Sequence, residues 1–98
     1  MERQLHNTNQ RPIKFIQYLR PNGRRTETAI NLDNAVADKA DALVATGYRL
    51  ECEMLTTGDV SFTIFDPVQD IDVAIEICAN GPMVPLTVEK LIMEFAIP

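Results

Sequence analysis

The sequence predicts an α+β domain, an antiparallel sheet in the order β-β-α-β-β-β-α with two helices packed on one face. Three observations predict it. From Tyr48 to Cys78, three short runs alternate apolar and polar residues with a period of two, separated by two turn-rich breaks, as an antiparallel meander would. Earlier, an Asn22-Gly23 turn separates two more extended runs. On either side of the meander the apolar period changes to that of a one-faced helix, and a one-faced sheet needs such helices to cover it.

Met1 to Arg11 is polar and has neither period, so residues 1–12 are expected to form a flexible tail and residues 13–98 a single domain. Pro12 opens the run Ile13 to Leu19, in which Ile13, Phe15, Gln17 and Leu19 alternate with Lys14, Ile16 and Tyr18. Large apolar groups fall on both faces, which predicts a strand partly covered on each side. In Arg20-Pro21-Asn22-Gly23-Arg24, proline pre-sets the turn and Asn-Gly supplies its positive-φ positions, so a hairpin is expected. Its second arm, Arg25 to Asn31, is apolar only at Ala29 and Ile30 and reads as an edge strand guarded by charge.

Asn31 or Asp33 can cap a helix whose residues Val36, Ala40, Leu43 and Val44 share one face, with Asp38, Lys39 and Asp41 in solvent. Thr46-Gly47 ends it, because glycine takes the left-handed position after a helix at little cost. In the meander the alternation places Tyr48, Leu50, Cys52 and Met54 inward, then Val60, Phe62 and Ile64, then Ile71, Val73, Ile75 and Ile77. Arg49, Glu51, Glu53, Asp72, Ala74 and Glu76 are left on the outer face. After the Ala79-Asn80-Gly81-Pro82 turn, Pro85 suits the first turn of a second helix, striped by Val88, Leu91, Ile92 and Phe95.

A chain of 98 residues with 46% hydrophobic content supports one core and not two. The net charge of −5 disfavours direct nucleic-acid binding. No run approaches the roughly 18 apolar residues of a membrane span, and no apolar stretch of signal-peptide length follows Arg3 and Arg11, so no membrane partner is expected. Cys52 is placed inside, and Cys78 outside or just past the strand end, which argues against a disulfide and for a reducing cytoplasm.

The sequence carries no catalytic constellation. The one histidine, His6, lies in the tail, and Cys52 and Cys78 are 26 positions apart, so no metal site is expected. Asp66, Asp70 and Asp72 bracket a loop without the glycine and terminal glutamate of a calcium loop, and read as a solvated acidic turn. No nucleophile elbow, phosphate loop or dinucleotide fingerprint is present, and the four glycines each have a turn or cap to explain them. The expectation is a protein that is not an enzyme and takes no cofactor.

Charge is distributed unevenly. Residues 1–30 hold six basic and two acidic residues, net +4, and residues 31–98 hold three basic and twelve acidic, net −9. Two candidate partner-binding surfaces follow. One is the acidic sheet face of Glu51, Glu53, Asp72 and Glu76, with Asp59 at its turn, which suits a basic groove; the plain alternative is a solvated face. The other is the basic hairpin tip of Arg20, Arg24 and Arg25; its plain alternative is an edge strand kept soluble by charge.

The segments from Ile16 to Arg24 (IQYLRPNGR), Leu55 to Ser61 (LTTGDVS) and Ile77 to Pro85 (ICANGPMVP) resemble those of small uncharacterised accessory proteins encoded by bacteriophages and prophages. The resemblance covers most of residues 13–95 and transfers no site residues. It implies cytoplasmic residence in a bacterial host cell and a non-catalytic module that binds and inhibits a host protein, such as a nucleic-acid-handling defence enzyme. Two alternatives stand beside that reading. One is a self-associating assembly protein, with Ile16, Tyr18 and Leu19 as grounds for a homodimer. The other is a small ligand-binding or hydrolase-like domain using the Asn80-Gly81-Pro82 loop.

Overall fold

The computed structural model describes residues 9–19 and 23–96. Its elements are β1 (Gln10–Leu19), β2 (Arg24–Asp33), α1 (Asn34–Ala45), β3 (Arg49–Met54), β4 (Asp59–Asp66), β5 (Ile71–Ala79) and α2 (Val84–Ala96). This is the expected α+β order, with both helices packed against the sheet. Residues 1–8 of the expected tail, and Arg20-Pro21-Asn22 of the expected turn, lie outside the described residues. Gln10, Arg11 and Pro12 belong to β1, which therefore starts earlier than the sequence pattern indicates. Arg11 is held there by ion pairs across to Asp38 and Asp41 of α1.

Five strands form one sheet in the order β2-β1-β3-β4-β5. The sheet is mixed rather than wholly antiparallel, because β3 enters beside β1 in parallel register, Ile16 opposite Glu51 and Tyr18 opposite Glu53. A helical connection makes that geometry available: α1 carries the chain from the edge strand β2 across β1. The Asp33 carboxylate caps α1 by accepting from the Ala35 N–H at 3.1 Å, and Gly47 at φ +106° lets the chain turn back after Thr46.

The core lies between the helices and one sheet face. Ile13, Phe15, Leu32, Leu50, Phe62 and Ile64 meet Val36, Ala37 and Ala40 of α1 and Val88, Leu91 and Ile92 of α2, all buried. Phe15 and Phe62 meet edge to face at 5.8 Å, and Tyr48 meets Phe95 likewise at 5.3 Å. Among expected core residues, Val44 is 51% exposed on α1, Met54 is 38% exposed at the end of β3 and Ile71 is 47% exposed at the start of β5.

The main departure is in β5. The ladder is regular from Asp59 opposite Ala79 to Ile64 opposite Ala74, then shifts so that Phe65 faces Asp72. Val73 is the extra residue of a β-bulge, and both Val73 and Ala74 pack on the core. Because the side-chain period is two, one inserted residue reverses every later position. Ile75 and Ile77, expected inside, therefore stand on the uncovered face at 54% exposure each. Glu76 and Cys78 go to the helix side. The two cysteines share the core side, yet β4 stands between their strands and both are free thiols.

Candidate functional site

The two helices leave the second sheet face uncovered, and the register fixes what it presents. One row reads Arg25, Tyr18, Glu53, Ser61 and Ile77 from β2 to β5; the next reads Glu27, Ile16, Glu51, Thr63 and Ile75. A third places Arg49, Phe65 and Asp72 side by side. Ile16 and Tyr18 thus form one apolar stripe and Ile75 and Ile77 another, three strand spacings or about 14 Å away. Between them runs a polar strip.

At the centre of that strip Glu51, Ser61 and Thr63 are buried at 8%, 8% and 9% exposure, although no helix covers them. Their larger neighbours shield them. The Tyr18 hydroxyl donates to Glu51 Oε2 at 3.1 Å, and Arg49 Nε donates to the same oxygen at 3.0 Å. The Arg49 guanidinium also lies over the Phe65 ring, 4.6 Å from its centroid. Thr63 Oγ1 donates to the Glu51 carbonyl at 3.4 Å. Glu51, Glu53 and Asp72 line one small depression of about 160 Å³ with Ser61 and Thr63, walled by Tyr18 and Ile75.

Of the sequence-derived partner residues, Glu51, Glu53 and Asp72 are brought together here and Arg25 stands across β1 from them. Glu76 is not part of this face: the bulge turns it to the helix side, where its carboxylate is 3.9 Å from Lys90 Nζ. Arg24 is exposed at the hairpin end of β2 but follows the helix-side register, and Arg20 lies outside the described residues. Ser61, Thr63, Ile75 and Ile77 were not singled out by sequence as binding residues, and Tyr18 only as one ground for a homodimer. Tyr18 had a signal, an aromatic residue on the polar side of a strand with two apolar faces. Ile75 and Ile77 had none, because their spacing matches a buried stripe.

A second concavity, a cleft of about 490 Å³, opens on the helix side near the start of α2. Ile30, Cys52, Val60 and Phe62 contribute apolar lining, with Gln17 and Asn80 among the polar groups. Burial pushes the Cys52 thiol up to a pKa of about 11, which leaves it protonated and poorly nucleophilic. Among the described residues no group of three or more histidine, cysteine or carboxylate side chains could hold a metal ion, and no helix is long and apolar enough to cross a membrane.

Comparison with protein-family models, with curated proteins and with solved structures finds no match to this chain.

Proposed function

We propose that this chain is a non-catalytic protein-binding module whose docking surface is the uncovered sheet face. The observation that carries the reading is the pair Ile75 and Ile77, each 54% exposed, set opposite Ile16 and Tyr18 across a carboxylate-lined strip. Apolar contacts flanking polar groups that need partners are the composition of a recognition surface. The resemblance to phage-encoded accessory proteins makes a host protein the first partner to test, with inhibition of a nucleic-acid-handling defence enzyme as the specific form of the proposal.

The experiment is affinity capture from bacterial lysate with the wild type, an Ile75→Thr/Ile77→Thr variant, and a Met83→Thr/Leu86→Thr variant that alters exposed apolar groups near the start of α2. Supporting the reading requires a partner retained by the wild type and the α2 variant and lost by the sheet-face variant. Retention of every captured protein by the sheet-face variant would overturn it. Light scattering at twice 11.0 kDa, returning to 11.0 kDa in the sheet-face variant, would identify a second copy as the occupant.

A second reading is favoured by the helix-side cleft, whose size falls within the roughly 300–1,000 Å³ of small-molecule sites. Its mostly uncharged lining suits a neutral amphipathic ligand. Thermal shift against a library of such compounds tests it, and stabilisation that vanishes in Phe62→Leu supports it.

A further inference from the structure

We infer that β5 is a self-pairing edge: the chain forms a twofold homodimer in which the β5 strands of two copies run antiparallel, with Ile77 opposite Ile77 at the axis. This pairing uses the edge of the sheet and is independent of the reading of the uncovered face as a docking surface. β5 is the last strand of the sheet, and among the described residues it pairs only with β4. The ladder identifies the backbone groups it leaves over. Leu55 N–H donates to the Asp59 carbonyl at 2.8 Å, so the hydrogen-bonded pairs between β3 and β4 are those in step with that bond, Glu53 with Ser61 and Glu51 with Thr63. Ser61 and Thr63 therefore direct their backbone groups to β3. Their neighbours on β5, Ile77 and Ile75, turn N–H and C=O away from β4 and off the edge, and Ala79, opposite Asp59, does the same.

Open edges are ordinarily blunted by charge, by proline or by a bulge. The opposite edge, β2, is guarded in this way by Arg24, Arg25 and Glu27, all exposed. In β5 the bulge at Val73 disturbs only the start of the strand, and Ala74 to Ala79 is a regular stretch without proline or lysine. Its one charge, Glu76, points to the helix side, where its carboxylate is 3.9 Å from Lys90 Nζ. Beside the outward backbone groups stand the Ile75 and Ile77 side chains, each 54% exposed. Unpaired donors and acceptors in a row select an extended strand as their occupant, and the isoleucines beside them select one with an apolar flank. A second β5 is both.

The residues themselves choose the register. An axis at Ile75 would set Ile77 against the bulge at Val73, and an axis at Glu76 would set two carboxylates directly opposite each other, which is destabilising. An axis at Cys78 would push Ile75 beyond the strand end at Ala79. An axis at Ile77 meets none of these obstacles. Ile77 then pairs with Ile77, and Ile75 with Ala79 on either side, all through outward-facing backbone groups. Glu76 faces Cys78 and lies only diagonal to the other Glu76, each beside its own Lys90. On the uncovered face the two Ile77 side chains meet at the axis with an Ile75 next to each, and the two five-stranded sheets become continuous.

The test follows the full chain by light scattering, cysteine cross-linking and amide exchange. Expected is twice the 11.0 kDa of one chain for the wild type and for Ile16→Thr, which alters the uncovered face away from the edge. Ile77→Lys sets two ammonium groups opposite each other at the axis and should raise the dissociation constant about a hundredfold or more. In a Cys78→Ala background, Ile77→Cys should link two copies on mild oxidation, because facing Cα atoms of a hydrogen-bonded pair are about 5.5 Å apart, within disulfide reach. Ile75→Cys should not, since the two copies of that position lie about 14 Å apart along the strands. The Ile75, Ile77 and Ala79 amides should exchange slowly in the wild type and quickly in Ile77→Lys, with the Ile64 amide slow in both as the check that the sheet is intact. A mass of 11.0 kDa up to millimolar concentration, a dimer undiminished by Ile77→Lys, or cross-linking of Ile75→Cys as ready as that of Ile77→Cys would each overturn the proposal. A monomer whose captured partner is lost in Ile75→Thr/Ile77→Thr would leave the docking face standing and remove the edge dimer, and a dimer that captures nothing from lysate would do the reverse.

Discussion

Replacing isoleucines with threonine along β4 and β5 separates the bulged strand from a regular one. Threonine keeps the β-branch, so strand preference largely cancels and the difference reports burial. At Ile64, 0% exposed, the change removes about two methylene equivalents, about 1.6 kcal/mol, and leaves a hydroxyl in apolar surroundings for about 1–3 more. The expected loss is about 3–5 kcal/mol. At Ile75 and Ile77, 54% exposed, a little under half of the transfer free energy is at stake and the hydroxyl reaches water, so each should lose about 0.7 kcal/mol. Urea unfolding with a shared m-value reads these differences directly. A loss of 2 kcal/mol or more for Ile75→Thr or Ile77→Thr would refute the bulge and restore the uninterrupted alternation.

Phe62→Ala should lose about 3–5 kcal/mol, a large part of the roughly 5–15 kcal/mol available to a domain, and an unchanged melting temperature would contradict the packing of Phe62 on Phe15. Cys52 and Cys78 should label at different rates with a disulfide reagent at pH 8: Cys52 slowly, because a pKa of about 11 leaves roughly one molecule in a thousand as thiolate, and half-buried Cys78 first. Cys78→Ser should leave only the slow phase. Burial works to raise the Asp66 pKa, but hydrogen bonds from the Gln69 side chain and the Val68 and Gln69 N–H groups outweigh it and hold the carboxyl below its usual value. A lowered folded pKa gives stability that is present above the unfolded pKa of about 4 and is lost as pH falls through the folded value. The stability gap between wild type and Asp66→Asn should therefore be constant from pH 5 to 8 and narrow below about pH 4, as acid-dependent melting would show.

Local signals proved sufficient for the elements. The Asp33 cap, the glycine after α1, the guarded edge strand β2 and the inward triplet Val60, Phe62 and Ile64 are each set by neighbours within a few residues. What stayed hidden depends on pairing at long range. A strand alternates identically whether its neighbour is parallel or antiparallel, so nothing within β1 or β3 marks them as a parallel pair. The bulge is hidden for a related reason. Ile71, Val73, Ile75 and Ile77 alternate without fault, and only the Asp66 to Ile71 turn, fixed by Asp66 and by Asp70 at φ 60°, sets where β4 and β5 begin to pair. The sequence thus located Glu51, Glu53 and Asp72 on the outer face and misassigned Glu76. It could not show that Glu51, Ser61 and Thr63 are shielded there, since that depends on which side chains from three other strands surround them.

The bulge also bears on why the uncovered face is apolar. It directs both Val73 and Ala74 to the core and brings Glu76 to within 3.9 Å of Lys90, and in doing so it turns Ile75 and Ile77 outward. Threonine at both positions would keep strand preference and lose only about 0.7 kcal/mol each, so folding places little demand on isoleucine there. Single exposed apolar residues are ordinary on protein surfaces. Two in register on adjacent rows, opposite a second apolar pair and flanking a carboxylate-lined strip, form an arrangement that stability does not account for. On the proposed docking reading, one contact would bury the isoleucines together with the polar strip between them.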